Sequence, residues 1–339
     1  MGRRIGRATL QMDHPPCVQA WAAVGGKKEQ QGPLGYAFDR TFSDTLCGQK
    51  SWEQAEIYMQ RTALALASNK CTLPIAELDM LLAGDLLAQC IVSGYAAREA
   101  KVPYIGLYGA CSTMAESLAV GACMIDGGFA RRVGAAASSH FCTAERQYRF
   151  PLAYGGQRPP TAQWTATAAG ACILTDEPQK PVHITKVCFG KVCDLGIKDA
   201  NNMGAAMAPA AHDTIQTLLQ DTGTKPQDYD GIFTGDLGKV GSRLFCALFE
   251  RDGIDIKKVH EDCGKLLFDD KQGVQAGASG CGCAASVLCT QLLPQLERGA
   301  MHRIILAATG ALMSPTSVQQ GESIPGICHA VVLESGGKG

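Results

Sequence analysis

Residues 104–127 constrain the fold most, because they join a short apolar strand, a tight turn carrying a cysteine and a helix of small residues. Tyr104–Tyr108 is rich in residues that favour strands, and its length suits a strand covered on both faces. Gly109 allows a sharp turn, and Ser112 or Thr113 can cap the helix that follows. This helix is apolar on nearly every side, which predicts a buried position.

Cys111 lies at the tip of this turn, at or just before the first helical residue. Free N–H groups and the helix dipole stabilise a thiolate or a bound anion at such a position. The chain contains 16 cysteines, and most are expected to be small core residues. The position at a strand–helix junction makes Cys111 a candidate nucleophile or ligand contact, with a core residue as the alternative.

The composition limits the classes of function. A formal net charge of −1 gives no reason to expect nucleic-acid binding by the whole chain. The sequence contains no run of about 18 apolar residues, so no transmembrane helix is predicted. The basic start, Met1–Arg7, precedes no apolar segment of the kind a secretory signal needs. The cysteine spacings fit neither a small disulfide-bonded domain nor a zinc site, so we expect reduced thiols and neither a metal nor a cofactor.

A polar segment, 140–151, directly follows the predicted strand Arg131–Ser138. Polar groups at the carboxyl ends of strands often build sites in α/β folds. The segment is therefore expected to face a cavity or, alternatively, to form a solvated loop with local ion pairs. The loop 154–164, which contains Arg158, is rich in glycine and proline, and long loops of this kind often cover a site. The candidate residues of the polar segment are His140, Glu145, Arg146 and Arg149.

The second half of the chain repeats the first. A second glycine-rich turn feeds another buried helix at about 282–298, the counterpart of the helix at about 112–127, and a small apolar strand follows each helix. The same order of strands and helices in both halves implies an internal duplication, with halves at 1–180 and 181–339. We predict an α/β fold in which the two helices pack together between two sheets. The resulting layers are helix, sheet, helix, sheet, helix.

This duplication, with a cysteine turn in the first half and a glycine turn in the second, resembles the thiolase and ketoacyl-synthase fold over essentially the whole chain. Within that fold, a long set of motifs resembles the stage V sporulation protein AD family of spore-forming bacteria. The motifs lie at 42–56, 109–117, 139–149, 154–160, 234–238, 280–284, 308–315 and 322–325.

The resemblance implies a catalytic position without its usual partners. Condensing enzymes of this fold use a cysteine nucleophile with His–Asn or His–His partners, which stabilise the thiolate and the acyl oxyanion. Cys111 matches the nucleophile, but Asp236 stands about where the histidine after the strand at 231–234 is expected. The asparagine expected at the second turn is missing from 279–283, whereas His329 lies in the final strand, where thiolases carry a histidine. We therefore expect a vestigial nucleophile position and no ordinary acyl condensation.

The resemblance also implies a ligand, dipicolinic acid (pyridine-2,6-dicarboxylate), which the family is thought to bind and help load into the developing spore, with release in germination. This ligand is small, flat and doubly anionic. Helix N–H groups at Cys111 and Ser112 suit one carboxylate, and an arginine fork suits the other. The basic candidates are Arg146 and Arg149, followed by Arg158 and Lys239.

If the ligand arrives as its calcium chelate, Glu145 or Asp236 could meet the metal. The predicted ligand-binding set contains Cys111, Ser112, His140, Glu145, Arg146, Arg149, Arg158, Asp236 and His329.

Two other functions remain open from the sequence. One is an acyl-transfer enzyme of the ketoacyl-synthase type that uses Cys111. The other is a structural partner of a membrane channel. The resemblance implies a chain made in the cytoplasm and held at the spore inner membrane by other stage V sporulation A membrane proteins, and it leaves a homodimer open.

Overall fold

The computed structural model describes residues 2–148, 158–177 and 181–336. The strands are β1 (Arg3–Ile5), β2 (Thr9–Gln11), β3 (Cys17–Gly25), β4 (Arg40–Thr41), β5 (Met80–Gly84), β6 (Tyr104–Gly106), β7 (Arg132–Ser139), β8 (Trp164–Thr165), β9 (Ala168–Thr175), β10 (Val182–Phe189), β11 (Gly231–Thr234), β12 (His260–Asp262), β13 (Ala278–Ser279), β14 (Arg303–Ala311) and β15 (Gly326–Ser335). The helices are α1 (Lys27–Gln30), α2 (Trp52–Lys70), α3 (Ile91–Ala100), α4 (Thr113–Asp126), α5 (Phe141–Tyr148), α6 (Met203–Thr222), α7 (Gly238–Arg251), α8 (Cys263–Leu266), α9 (Cys281–Val287), α10 (Leu293–Glu297) and α11 (Pro315–Gln319).

The two halves of the chain build their main strands in the same order. In the first half the order is β6-β5-β7-β9-β3, and in the second it is β12-β11-β14-β15-β10. The last strand of each half, β9 or β15, runs antiparallel to both of its neighbours. The two sets of strands meet where β10 pairs with β3, at His183 and Cys17. This shared topology supports an internal duplication, while the division at residues 180 and 181 stays a prediction.

Helices lie on both sides of each half-sheet. α2 packs against β3 and β9 on one outer side, and α6 packs against β14, β15 and α7 on the other. Between the sheets, α4 contacts β5, β7, β14 and β15, while α9 contacts β7 and β9, and the two helices touch each other. The predicted five-layer, thiolase-like α/β fold with two central buried helices is therefore confirmed.

Small residues allow the central layer to pack this closely. Ala115, Ala284 and Ala308 form a buried cluster where α4, α9 and β14 meet. On β9, a Cβ atom added to Gly170 would lie only 2.6 Å from the carbonyl oxygen of Ala285 on α9. Because protein interiors are close-packed, such a contact leaves no space for a larger side chain.

One detail of the predicted strand before Cys111 is wrong. β6 spans only Tyr104–Gly106 and lies at the edge of the sheet order, where Ile105 is 43% exposed. The apolar sequence predicts cover on both faces, but Ile105 and Gly106 are exposed, and in the described residues β6 pairs only with β5. Within the described part of the chain, no helix combines the length and apolar character needed to span a bilayer.

Candidate functional site

The predicted cysteine turn is present between β6 and α4. Ala110–Ser112 forms a short 3-10 turn, and Ala110 adopts a left-handed backbone with φ of 50°. The predicted cap is wrong, because neither Ser112 nor Thr113 caps α4 in the usual way. Their hydroxyls instead donate backwards, at 2.7 Å, to the carbonyl oxygens of Gly109 and Ala110. These bonds hold the turn that presents Cys111.

The Cys111 thiol is buried in a small polar cluster. The carboxyl of Asp236, which follows β11, and the Gly280 N–H both interact electrostatically with the thiol. The same carboxyl accepts the Gly280 N–H at 3.0 Å and the Thr309 hydroxyl at 2.8 Å. The site therefore joins the cysteine turn of the first half to the glycine turn of the second.

Burial controls the protonation of this cluster. Burial raises the pKa of Cys111 well above its ordinary value, and the neighbouring Asp236 and Cys281 raise it further. Burial also raises the pKa of Asp236 to about 7, against the lowering effect of its hydrogen bonds to Gly280, Cys111 and Thr309. Since desolvation disfavours the charged form of both groups, the thiol is protonated at neutral pH and is not a ready nucleophile.

A cavity of about 30 Å³ lies over Cys111. Its polar lining consists of Tyr108, Cys111, Tyr148, Thr165 and Ser279. Apolar atoms from Leu86, Met203, Met313 and three alanines complete the described lining, which includes no lysine or arginine. The cavity thus offers neutral hydroxyl groups and apolar surface, and its volume holds only about one or two water molecules.

The predicted basic residues that the structure describes are engaged elsewhere. Arg146 forms an ion pair with Glu53. Arg158 forms an ion pair with Glu145 at 2.6 Å, and its guanidinium lies 5.0 Å from the centre of the Trp164 ring. Two further candidates complete this set: Lys239 pairs with Asp270, and Arg149 lies outside the described residues.

Glu145 lies directly behind the cavity wall. Its side chain is buried and accepts a hydrogen bond of 3.2 Å from the hydroxyl of Thr165, which lines the cavity. Glu145 and its partner Arg158 therefore support the wall, and neither is among the residues that line it.

The two predicted histidines make structural contacts. His140 is buried, its Nε2 lies 2.8 Å from the carbonyl of Thr45, and its Nδ1 accepts the Cys142 N–H at 3.1 Å. His329 Nδ1 accepts the Gly190 N–H at 3.3 Å. Burial lowers the pKa of each to about 4, so both rings are neutral at physiological pH. Neither belongs to the described lining of the cavity.

Several lining residues were not predicted from the sequence. Ala144 and Tyr148 are four residues apart, so a helix over 141–148 places them on one face. That spacing was the available signal for Tyr148, and Tyr108 immediately precedes the turn. Met203 and Met313 reach the cavity from the second half, and no local pattern marks them.

The sequence and the fold were compared with known proteins. The profile of the family described as Stage V sporulation protein AD (SpoVAD) matches residues 6–334. Stage V sporulation protein AD of Bacillus subtilis (strain 168) is 46% identical over 332 residues, which cover 98% of each chain.

Solved structures show the same fold at low identity. The 3-oxoacyl-[acyl-carrier-protein] synthase III of Aquifex aeolicus VF5 aligns with a TM-score of 0.55 and 15% identity, covering 94% of this chain and 99% of that one. Human mitochondrial 3-ketoacyl-CoA thiolase, in complex with CoA, aligns with a TM-score of 0.58 and 12% identity, covering 96% and 99%. These likenesses establish the thiolase-type architecture, and the sequence matches establish the closer relationship. The chain belongs to the stage V sporulation protein AD family.

Proposed function

We propose that this chain is a non-catalytic ligand-binding protein of the spore, which binds dipicolinic acid over Cys111 and supports its uptake and release. The observation that carries the proposal is the cluster of Cys111, Asp236 and Gly280. It keeps the nucleophile position of a condensing fold but surrounds the thiol with groups that hold it protonated. A site retained without its nucleophile chemistry is well suited to binding.

The lining suggests how the ligand would be held. The Ser279 hydroxyl lines the cavity and can donate to a carboxylate oxygen, and the methionines and alanines suit the flat ring. The hydroxyls of Thr165, Tyr108 and Tyr148 can donate to the ligand once they leave their present acceptors, which are Glu145, Tyr148 and the Leu86 carbonyl. Because no described lining residue is cationic, the proposed binding mode uses neutral donors and does not depend on the arginine fork expected from the sequence. Free dipicolinate and its calcium chelate are both covered by the proposal.

An acyl-transfer enzyme is the second candidate. The Asp236 carboxyl interacts with the Cys111 thiol, so a carboxyl group is near enough to be considered as an acceptor of its proton. Against this function, the raised pKa of the thiol means that proton transfer to Asp236 is unfavourable. The Gly280 N–H, a candidate oxyanion donor, already donates to the Asp236 carboxyl at 3.0 Å.

One pair of experiments on the purified full chain separates these functions. Dipicolinate is titrated by calorimetry with and without calcium, and a separate sample is incubated with acyl-CoA and analysed by intact mass. We expect saturable dipicolinate binding and no adduct. A stable adduct that is lost in Cys111→Ser, with no dipicolinate binding, would support the enzyme. The absence of both results would refute ligand binding and favour a structural partner.

We also propose that other stage V sporulation A membrane proteins hold this chain at the spore inner membrane. The proposal is supported by the family membership and by the lack of a membrane-spanning helix in the described residues. The test is sedimentation with protein-free liposomes at physiological salt. Weak binding is expected, and strong binding would make recruitment by partners unnecessary. Sedimentation velocity of the same sample would show whether the chain is a homodimer.

A further inference from the structure

Two tyrosines from different parts of the chain meet at the cavity over Cys111. The hydroxyl oxygens of Tyr108 and Tyr148 are 3.0 Å apart. Tyr148 donates its proton to the Leu86 carbonyl at 2.6 Å, so Tyr108 must be the donor to Tyr148. The result is a directed chain of hydrogen bonds, from Tyr108 to Tyr148 to the backbone at Leu86, and all three residues line the cavity.

Tyr108 lies at the boundary between the cavity and solvent. Tyr108 lines the cavity and yet is 42% exposed, whereas Cys111 at its base is only 5% exposed. A side chain that faces both the cavity and solvent forms part of its mouth. The hydrogen-bond chain therefore ties together the groups that surround the entrance.

The same side of the mouth has further contacts between α5 and the segment after β5. Gln147 donates from Nε2 to the Leu86 carbonyl at 3.1 Å and accepts the Ala88 N–H at 3.1 Å. Gln89 and Cys90, next along that segment, have left-handed backbone angles with φ of 59° and 50°, which are uncommon for residues other than glycine. The end of α5 is thus fastened to an irregular segment by a few polar contacts, without a shared sheet.

We propose that Tyr108 and Tyr148 form a gate, and that their hydrogen bonds must open before a ligand can reach Cys111. The cavity has room for about one or two water molecules, whereas a pyridine ring with two carboxylates is several times larger. Burial raises the pKa of Tyr108 to about 12, so its hydroxyl keeps its proton at physiological pH. In naming the ligand that passes the gate, this inference rests on the proposed function, but the gate itself can be tested without that ligand.

The test is the rate at which N-ethylmaleimide modifies Cys111 in the full-length native chain, followed by peptide mass spectrometry. If modification requires a local opening, its rate reports the population of the open form. Tyr108→Phe removes one hydrogen bond and should accelerate modification about 2- to 10-fold. Tyr148→Phe removes both tyrosine hydrogen bonds and should accelerate it about 5- to 100-fold.

Two controls separate gating from general loosening. Tyr95→Phe changes an exposed tyrosine on α3 that does not line the cavity, and it should alter the rate less than about twofold. Cys172, fully buried on β9, reports global unfolding in the same samples. The gate is rejected if Cys111 reacts at the parent rate in both gate variants, or if it remains unmodified in the parent and in both variants. It is also rejected if the labelling rate of Cys111 changes only in parallel with that of Cys172.

Adding dipicolinate distinguishes failure of the gate from failure of the proposed function. Accelerated labelling in the gate variants, with protection of Cys111 by dipicolinate, supports both. Acceleration without protection supports the gate and contradicts dipicolinate binding over Cys111. Protection without acceleration contradicts the gate alone.

Discussion

At the scale of single residues, burial affects the pKa of Cys111 more than its position at a helix N-terminus does. A helix N-terminus stabilises a negative charge by about 0.3–1 kcal/mol in ordinary settings, and the turn before α4 supplies that geometry. The thiol is nevertheless buried beside the Asp236 carboxyl, and its pKa moves upward. A helix N-terminus alone therefore does not determine the protonation state of this thiol.

The two described arginines of the predicted site should differ in their importance for stability. Arg158→Gln removes the ion pair between Arg158 and the buried Glu145 carboxylate, which should lower the free energy of unfolding by about 3 kcal/mol. Arg146→Gln breaks a more exposed pair with Glu53 and should cost less than about 1 kcal/mol. Urea unfolding of the two variants measures both values. A cost for Arg146→Gln equal to that for Arg158→Gln would show that burial of the pair is not decisive.

The sequence predicts which residues belong to the Cys111 cluster better than it predicts which side chains pair with each other. Cys111 was indicated by its local turn, and Asp236 by the expected position of a catalytic histidine. The pairing of Arg158 with Glu145 could not be predicted, because it depends on how the loop before β8 meets α5 in three dimensions. The sequence leaves two alternatives for the segment 140–151. In its described part, α5 contributes Ala144 and Tyr148 to the cavity, and its ion pairs reach distant residues, so this part is not a solvated loop with local ion pairs.

At the scale of secondary-structure elements, the packing of β9 against α9 depends on the absence of a side chain at Gly170. Gly170→Ala would place a methyl group 2.6 Å from the backbone oxygen of Ala285, and should destabilise the protein by about 1–3 kcal/mol. Gly94→Ala is the matched control, since this helical position on α3 has open space around the added methyl group. It should stabilise the protein by about 0.5–1 kcal/mol.

Thermal or urea unfolding can measure both glycine variants. Opposite signs are expected, because the same chemical change meets a backbone oxygen at one site and empty space at the other. Stabilisation by Gly170→Ala would mean that β9 and α9 are not in close contact.

The positions of the two central helices could be predicted from the sequence, but the irregular turn inside the second helix could not. The helix predicted at about 112–127 is α4, Thr113–Asp126. The helix predicted at about 282–298 is present, but a π-helical turn at Leu288–Leu292 separates α9 from α10. Pro294 near the start of α10 has no backbone N–H, so it cannot donate to a regular α-helical ladder. Composition predicts that such a helix is buried but does not predict its internal irregularity.

At the scale of the whole molecule, buried carboxyl groups should make stability depend on pH. Burial raises the pKa of Glu29 and Asp236 to about 7 and that of Glu56, which also lies near Asp85, to about 8. In an unfolded chain these groups titrate near pH 4. Between these values the folded state retains protons that the unfolded state has released, so stability falls as pH rises.

Three histidines whose pKa values are lowered by burial, His140, His260 and His329, oppose this trend below about pH 6.5, where they are protonated only in the unfolded chain. We therefore expect the free energy of unfolding to decrease from about pH 6.5 to about pH 8. Each group contributes a slope of up to about 1.4 kcal/mol per pH unit. Urea unfolding across this range measures the slope. Glu56→Gln removes one of the titrating carboxyl groups, so it should reduce the slope by about the contribution of one group. Glu250→Gln, at an exposed ion pair with Lys257, is the control and should leave the slope unchanged. A stability that rises with pH would contradict the assigned burial of these carboxyl groups.

The architecture of the whole molecule could be predicted because both halves of the chain carry the same order of strands and helices. Each half carries its own small apolar strands and buried helix, so an error in one element did not change the five-layer arrangement. The edge position of β6 was not predictable in the same way, since an apolar sequence is compatible with a central strand and with an edge strand. The cavity lining, in contrast, consists of a few side chains that converge from both halves, and the ligand proposed for it is implied only by the family resemblance.

The most direct test of the central claim is a calorimetric titration of dipicolinate into folded Cys111 variants. If the thiol is a wall of a binding cavity, Cys111→Ser keeps much of the binding, Cys111→Ala is intermediate, and the bulkier Cys111→Leu abolishes it. This order follows from a protonated thiol that contributes packing and a weak hydrogen bond. Equal and complete loss in the folded Ser and Ala variants would contradict the account, because it would show that the thiol is chemically essential.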